Sequence, residues 1–212
     1  MNASHSKSAF FYEQILQALH AGRYVPGQRI DPATLALEFD ASQTPVRQAL
    51  QRLLGAGLLE DHARNGLRVP LPTEVGLRQL YDWLQRLFCV ACDIGFEPES
   101  RPPPTAPTSE LDSEAGKIAD RTWRLFAGIA GAAAHPQCQA ALRRANDQLA
   151  PIRPAELPLL EYLEDELATL DQLWVARDID ALKKALRDYH ERRRHLVPCI
   201  VEILNTNARR FH

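Results

Sequence analysis

The sequence predicts a mainly α-helical protein in which a mixed N-terminal segment precedes a longer, almost entirely helical one. Apolar residues recur at helical spacing through most of the 212 residues. The dipeptide Asn65-Gly66, a strong hairpin-turn signal, stands between two short apolar runs. Prolines at positions 70 and 72 mark a boundary. A second group of prolines, between Glu97 and Ser113, predicts an extended loop within the helical part.

Composition limits the class of protein. Hydrophobic residues make up 45% and charged residues 25%, which is the mix of an ordinary folded protein. The net charge of −2 excludes a uniformly basic chain, so a nucleic-acid site must be a local patch. Four cysteines are too few for a disulfide scaffold and are typical of a reduced, cytoplasmic protein. No apolar stretch is long enough for a membrane span, and residues 1–8 lack the apolar core of a signal peptide.

The N-terminal segment predicts three short helices followed by a hairpin. The first helix covers residues 8–21. Asp31 is a candidate N-cap for the second helix, with a proline at the first helical position, and Ser42 is a candidate N-cap for the third. The runs Leu58–Glu60 and Leu67–Val69 then read as the two strands of the hairpin.

Three short helices and a hairpin in this order are typical of a winged helix-turn-helix, whose third helix enters the major groove of DNA. Such a module needs a polar entry to that helix, an apolar rear face and a basic wing tip. Leu50, Leu53 and Leu54 supply the rear face. The predicted DNA contacts lie at the helix entry and along the wing: Ser42, Gln43, Thr44, Arg47, Arg64, Asn65, Gly66 and Arg68.

These residues also have ordinary structural interpretations. Ser42 and Thr44 can cap the helix, which is compatible with a phosphate contact because a helix N-terminus favours an anion. Arg64 and Arg68 would otherwise be hairpin surface. Gly66 is expected at the turn because the turn needs a positive φ.

The predicted domain boundary falls at the prolines, which gives a DNA-binding domain of residues 1–72 and a helical domain of residues 73–212. The first domain holds seven Lys and Arg against six Asp and Glu, a net charge of +1 that leaves −3 for the rest. This weak positive charge predicts low affinity of one module for DNA. We therefore expect two modules to bind together as a homodimer.

The helical domain is predicted from apolar spacing alone. Its first helix begins at Thr73 and Glu74 and ends near Gly95, and Pro198 is expected to kink the last helix. The helices predicted after the proline-rich loop cover residues 113–134, 136–149, 156–176 and 178–206.

Residues 10–70 resemble the DNA-binding domain of the GntR family of bacterial transcription regulators. This resemblance implies a double-stranded DNA operator as partner and a regulator that is not an enzyme. It is carried, in colinear order, by Gly22 to Ile30, Leu35-Ala36, Ser42 to Leu50, Arg52-Leu53, Gly57 to Leu59 and Gly66 to Val69.

The helical remainder resembles the FCD domain, which binds effectors and dimerises in the fatty-acid-regulator (FadR-like) branch of that family. Its length, its helical content and the stretch from Arg177 to Leu182 carry this second resemblance. It implies a homodimer and a small-molecule effector, for which we expect a carboxylate-like ligand near Arg124 and His190. The competing interpretation is an effector-independent regulator whose helical domain only dimerises or recruits a protein partner.

The resemblance to the FCD domain stops at its metal site, which commonly consists of one Asp and three His. With Asp120 as the Asp, the next ligand position carries Arg124, or Phe126 in an alternative alignment, and the third falls near Leu167. Of the three expected histidine ligands, only the last has a histidine in this sequence, His190. The metal site is therefore expected to be dismantled, and we expect no metal or other cofactor.

Gln43 is a second departure, because the family usually has Arg at this place. Arg suits guanine O6 and N7, whereas Gln suits adenine N6 and N7. We therefore expect an operator that has lost a guanine, with adenine as its replacement.

Cysteines and histidines offer an alternative zinc site. Cys89 and Cys92 form a CxxC motif, and His135 and Cys138 form an HxxC motif. The CxxC motif lies inside an apolar helix without a glycine knuckle, so small buried core residues are the favoured interpretation and redox sensing is the minor one.

The run of charged residues before Pro198 is expected to form a solvated helix face. His190 and His195 lie in this run, as do Arg192 to Arg194. The arginines could instead meet an acidic effector or a partner subunit.

The sequence lacks the common catalytic motifs of enzymes. A Gly-rich phosphate loop, GxSxG and HExxH are all absent. The remaining enzyme hypothesis, a helical metalloprotein using Asp120, His135 and His190, is strongly disfavoured.

Overall fold

The N-terminal segment forms three helices and an antiparallel two-stranded wing, as the sequence predicts. The computed structural model describes residues 3–62, 66–97 and 114–211, without the side chains of residues 3–6, 114–115 and 211. In the wing, Glu60 lies opposite Arg68 and His62 lies opposite Gly66. The elements are α1 (Ala3–His20), α2 (Pro32–Glu38), α3 (Gln43–Gly55), β1 (Glu60–His62) and β2 (Gly66–Arg68).

Local signals in the sequence explain where α2 and α3 begin. The carboxylate of Asp31 accepts a hydrogen bond from the backbone amide of Thr34 at 2.9 Å, which confirms the predicted cap of α2. Ser42 stands at the N-cap of α3 in extended backbone, but its side chain makes no capping hydrogen bond. Asp40 turns the chain between the two helices in the left-handed region, with φ of 45°.

The apolar faces of α1, α2 and α3 close on a single core, to which the wing contributes its flanking residues. α1 packs mainly on α3, and α2 packs on α3 from another side. The buried residues are Phe11, Ile15, Leu19, Ile30, Leu35, Ala36, Val46, Ala49, Leu50, Leu53, Leu58, Leu59 and Val69.

The remainder of the described chain is a helical bundle. α4 packs along α8 and against α6, while α5 packs along α6 and α7 along α8. Large apolar side chains fill its core, among them Tyr81, Phe88, Phe126 and Trp174. No helix in the described residues is long and apolar enough to cross a membrane. The helices are α4 (Glu74–Ile94), α5 (Glu114–Ala132), α6 (Pro136–Leu149), α7 (Leu163–Ala176) and α8 (Ile179–Ala208).

The prediction of one helix over residues 156–176 is wrong. A short 3-10 helix covers Arg153–Leu159, and α7 begins at Leu163 after Tyr162, whose φ is 60°. Pro158 lacks the amide proton that an α-helix would need there, so the chain makes a tighter helix and then breaks. By contrast, α8 continues through Pro198. The predicted loop at positions 98–113 lies outside the described residues.

Candidate nucleic-acid interface

The exposed face at the start of α3 carries the predicted base-contacting side chains. Burial of Val46, Ala49 and Leu50 against the core fixes the rotation of the helix about its axis. Gln43, Thr44 and Arg47 consequently lie on its exposed side. Ser42 is exposed just before them, where the first-turn amides of α3 make the helix end favourable for an anion.

Gln43 and Arg47 are joined by a hydrogen bond. Arg47 Nη2 donates to Gln43 Oε1 over 3.1 Å, one helical turn apart. The side-chain amide of Gln43 therefore positions the guanidinium of Arg47 and keeps its own NH₂ group for another acceptor. The sequence placed both residues on one face but did not predict that they contact each other.

The structure describes only part of the predicted wing contacts. Arg64 and Asn65 lie outside the described residues. Gly66 has φ of 70°, in agreement with the expected turn. Arg68 is half-buried, and its Nη1 donates to the backbone oxygen of Gly27 over 3.0 Å, which ties the wing to the preceding turn. A DNA contact by Arg68 stays a prediction.

Arg29 is a basic residue at the wing that the sequence analysis did not select. It is exposed, and its backbone pairs with that of Arg68 in an isolated antiparallel bridge. Its guanidinium nitrogens approach within 3.7 and 3.8 Å of the position that a Cβ on Gly66 would take. A short extended segment that ends near Ile30 can add an edge to the wing, and this bridge brings Arg29 beside β2.

The two predicted effector residues lie in different surroundings. Arg124 Nε donates to the carboxylate of Asp120 over 2.8 Å, one turn earlier on α5. His190 is fully buried, so its assignment to a solvated face is wrong. Its Nδ1 donates to the backbone oxygen of Leu186 over 2.6 Å, and burial lowers the pKa of His190 to about 3. His190 is therefore neutral at physiological pH.

Arg193 is also buried, which corrects the expectation that it lies on the solvated face. Its guanidinium donates to the Glu156 carboxylate over 2.7 Å and to the Glu166 carboxylate over 2.7 Å. Tyr81 donates its hydroxyl proton to the same Glu156 over 2.6 Å. Burial raises the pKa of Tyr81 well above its ordinary value, and the charge of Glu156 adds to this rise. These groups connect α4, α7 and α8 through the bundle interior.

The cysteines are less buried than the sequence analysis expected. Cys89 and Cys92 are half-buried on α4, and Cys138 is buried. Burial raises the pKa of Cys92 to about 11, and the neighbouring Cys89 adds to this rise. A protonated thiol is a poor metal ligand and a poor nucleophile. His135 is exposed on the surface.

The described residues at the positions that the resemblance implies for a metal site do not fit a bound metal. The Asp120 carboxylate is held by the guanidinium of Arg124, and the two positions at which the resemblance implies histidine ligands carry Arg124 and the buried apolar Leu167. Within the described residues, no group of three or more His, Cys, Asp or Glu is arranged to hold an ion. The same absence leaves the combination of Asp120, His135 and His190 without support.

The N-terminal part of the chain is similar to a known protein family. Residues 7–69 match the model of "Bacterial regulatory proteins, gntR family". A curated relative, the "Uncharacterized HTH-type transcriptional regulator YdhC" of Bacillus subtilis (strain 168), is 34% identical over 71 residues, which cover 34% of this chain and 32% of the relative. The chain therefore matches about a third of the length of that relative.

Two solved structures share the fold along nearly the whole chain. A putative transcriptional regulator GntR from Rhodococcus sp. RHA1 superposes with a TM-score of 0.70 at 17% identity, covering 91% of this chain and 97% of the other. Escherichia coli McbR/YncC superposes with a TM-score of 0.68 at 16% identity, covering 93% and 98%. Residues 7–69 therefore resemble the DNA-binding domain of GntR-family regulators, and the chain shares the fold of the two solved structures.

Proposed function

We propose that the whole chain is a sequence-specific DNA-binding transcription regulator. The observation that carries this proposal is the exposed entry of α3, where Gln43, Thr44 and Arg47 stand on a helix whose rotation the core fixes. Arg29 adds positive charge at the neighbouring wing. The domain boundary between residues 72 and 73 and action in the cytoplasm, where an operator is found, are parts of this proposal.

The regulator acts as a homodimer because an operator with two half-sites needs two recognition helices. The described part of α4 supports this part of the proposal. Its exposed apolar side chains are Val75, Trp83, Val90 and Ile94. At about 100° per residue, they fall within about 100° of one another around the helix axis. This stripe faces away from the bundle core, and a second copy is the occupant that the two-module operator requires.

The helical domain senses a small molecule that shifts the spacing of the two recognition helices. Arg153 Nη1 and His190 Nε2 are buried without a hydrogen-bond partner among the described groups. Both side chains border Phe126: the Arg153 guanidinium carbon lies 5.3 Å and the His190 ring 5.9 Å from its ring centroid. The buried Nη1 donor of Arg153, which lacks a hydrogen-bond partner among the described groups, favours a carboxylate ligand. His190 thus keeps the effector role that the resemblance implied, whereas Arg124 is engaged by Asp120.

Arg47→Ala tests the DNA-binding proposal against Arg52→Ala. Both arginines are exposed on α3, but Arg52 lies over the ring of Tyr12 on α1, with its guanidinium carbon 4.3 Å from the ring centroid. Genomic fragments are captured with the wild-type protein, and the affinities of all three proteins are measured at one salt concentration. Arg47→Ala is expected to lose about 1–3 kcal/mol and Arg52→Ala much less. Equal losses, or no captured fragment, would contradict the proposal.

A thermal-shift series with small carboxylates tests the sensing part. A ligand at about 100 times its dissociation constant adds about 2.7 kcal/mol to the free energy of unfolding. A series without any shift would favour the effector-independent regulator, in which the bundle only dimerises or recruits a partner.

A further inference from the structure

A half-open cavity of about 390 Å³ lies between the wing domain and the helical bundle. Leu19 and Leu58 line it from the wing domain, and Leu80, Trp83 and Ile152 line it from the bundle. This volume is at the lower end of small-molecule sites, and such sites are typically apolar with a few polar groups. Gln79 and Gln148 are the amides at its wall.

The seam around this cavity is held by specific contacts. The ring of His20 at the end of α1 stacks on Trp123 of α5, with ring centroids 3.8 Å apart. Trp123 Nε1 donates to Asp147 Oδ1 over 2.8 Å, and His20 Nε2 lies 3.1 Å from the same oxygen. Gly57 packs so closely that an added Cβ would stand 3.0 Å from Gln148 Nε2. A molecule in the cavity therefore touches two parts that already meet in a defined arrangement.

The charge of the cavity wall is negative. Asp147 is the formally charged side chain among the described lining residues. Arg144 also approaches the seam at Gly57, but it does not line the cavity. Lining residues also lie at or just beyond the C-terminal ends of three helices: Leu19 in the last turn of α1, Gly57 after α3 and Gln148 in the last turn of α6. The carboxyl end of a helix carries partial negative charge. Several carbonyls at these ends already accept backbone hydrogen bonds, among them Leu19 O from Gly22 and Leu54 O from Gly57, so Asp147 supplies the main attraction for a cation.

The N-terminal end of α4 also borders the cavity, and its partial positive charge is offset by neighbouring groups. Gly76 lines the cavity in the first turn of α4, where partial positive charge is expected. Its amide already donates to Thr73 Oγ1 over 3.1 Å, and Glu74 adds a carboxylate to the same turn. The ring of Trp83, which is about half exposed, supplies an aromatic face to the cavity. Such a face binds cations.

From this combination we propose that the seam cavity is a binding site for a compact organic cation, an amine carried on an apolar or aromatic body. The apolar lining takes the body of the ligand, and Asp147 with Trp83 takes the ammonium group. The site is separate from the buried Arg153, which favours the opposite charge. Since its wall comes from both domains, occupancy favours the docked arrangement of the wing domain and thereby changes operator affinity. Only this last effect rests on the proposed DNA-binding function.

Three indoles that differ mainly in charge test the site: tryptamine, 3-ethylindole and indole-3-propionate. Binding to the full chain is measured by calorimetry without DNA. Tryptamine is expected to bind at least tenfold more tightly than indole-3-propionate, with 3-ethylindole between them. Equal affinities for the three probes, or tighter binding of the anion, would overturn the proposal.

Variants locate the binding. Leu80→Trp fills the cavity and should abolish tryptamine binding, whereas Val175→Trp, exposed on α7 outside both the cavity and the apolar stripe of α4, should leave it unchanged. Asp147→Asn preserves the side-chain shape and should reduce the preference for tryptamine over indole-3-propionate to within about twofold. A cation preference that survives Asp147→Asn in a folded protein would place the site elsewhere.

Operator affinity is measured last, with saturating tryptamine. It is expected to change at least threefold for the wild type and not for Leu80→Trp. If the protein binds no operator, the proposed function fails, while the calorimetry still decides whether the cavity binds cations. Tryptamine binding without any effect on operator affinity would refute the coupling between the cavity and the wing domain.

Discussion

At the scale of single residues, the hydrogen bond from Arg47 to Gln43 changes what each side chain can offer a base. Gln43 Oε1 already accepts from Arg47, so a bidentate contact with adenine requires this oxygen to accept a second hydrogen bond. Gln43 thus has two possible roles, direct contact with adenine and orientation of Arg47. Substitutions at position 43 separate these roles because they affect different base pairs.

The first prediction concerns operator specificity. Gln43→Arg is expected to shift the preference at one base position toward guanine by about 1–3 kcal/mol. Gln43→Ala is expected to weaken the preference at the position read by Arg47 as well, because the guanidinium loses its partner. The measurement is selection from randomised duplexes, with Gln48→Arg as a control that is exposed on α3 about 140° around the helix axis from Gln43. An identical motif for the wild type and Gln43→Arg would show that residue 43 does not contact bases.

The second prediction concerns acid stability. Burial lowers the pKa of His190 from 6.5 to about 3. Between these two pH values the unfolded chain therefore binds a proton at His190 that the folded chain does not bind. The stabilising effect of neutral His190 is complete above pH 6.5 and is lost as the pH falls toward 3. The loss is up to about 1.4 kcal/mol per pH unit.

Urea unfolding between pH 7 and pH 4 checks this prediction. His190→Gln cannot take up the proton and should unfold with a smaller pH dependence than the wild type. His195→Gln is the matched control, because His195 is exposed and belongs to the same helix. Equal pH dependence of wild type and His190→Gln would show that His190 does not titrate as its burial implies.

The burial of His190 and Arg193 could not be predicted from the sequence. The carboxylates that pair with Arg193 belong to Glu156 and Glu166, which are 37 and 27 residues away along the chain. A run of charged residues on α8 carries no periodic signal that distinguishes its buried side from its exposed side. Only the packing of α7 and the 3-10 helix against α8 determines which charges are buried.

At the scale of elements, apolar spacing and capping residues were enough for most helices. α4 follows the predicted bounds because Thr73 caps it and its apolar residues keep one face. Apolar spacing did not predict the break between the 3-10 helix at Arg153–Leu159 and α7. Its apolar residues fit a helical period, yet Pro158 removes the hydrogen bond that an α-helix needs. The strands of the wing were predicted from the turn signal at Gly66, but β1 begins two residues later and β2 one residue earlier than expected.

The third prediction compares glycines at three element boundaries. Gly66→Ala should lower the free energy of unfolding by about 1–2 kcal/mol, because φ is 70° while the added methyl group meets only ordinary contacts. Gly27→Ala should cost more, because φ is 84° and the new Cβ would lie 2.9 Å from that of Ala208. Gly55→Ala, in helical backbone with open space, should be neutral or stabilising by up to about 1 kcal/mol. Urea denaturation gives the order, and equal effects at positions 27 and 66 would argue against the contact with Ala208.

At the scale of the whole molecule, the wing domain is anchored to the bundle at separate points. Gly27 lies against the end of α8, and Gly22 lies 3.6 Å, measured from its would-be Cβ, from Pro154. His20 stacks on Trp123 at the third point. In the proposed homodimer, these contacts would transmit a change in how the two bundles pair to the recognition helices, because they hold the domain that contains α3 against the bundle. This coupling is what a regulator that responds through its helical domain requires.

The last prediction concerns assembly through α4. An exposed apolar stripe on a helix that otherwise buries Leu77, Leu84 and Phe88 is costly to leave in water, and a second copy can cover it symmetrically. Sedimentation at micromolar concentration is expected to show a dimer, and Val90→Asp, which places a charge within the stripe, is expected to yield monomers.

Val175→Asp is the control, because Val175 is exposed to a similar extent on α7 and lies outside the stripe. The monomeric variant should keep its fold and lose most of its operator affinity, since one weakly basic wing domain makes few phosphate contacts. A wild-type monomer, alone and on DNA, would contradict the homodimer. Dimers that persist in Val90→Asp but not in Val175→Asp would instead move the interface from α4 to α7.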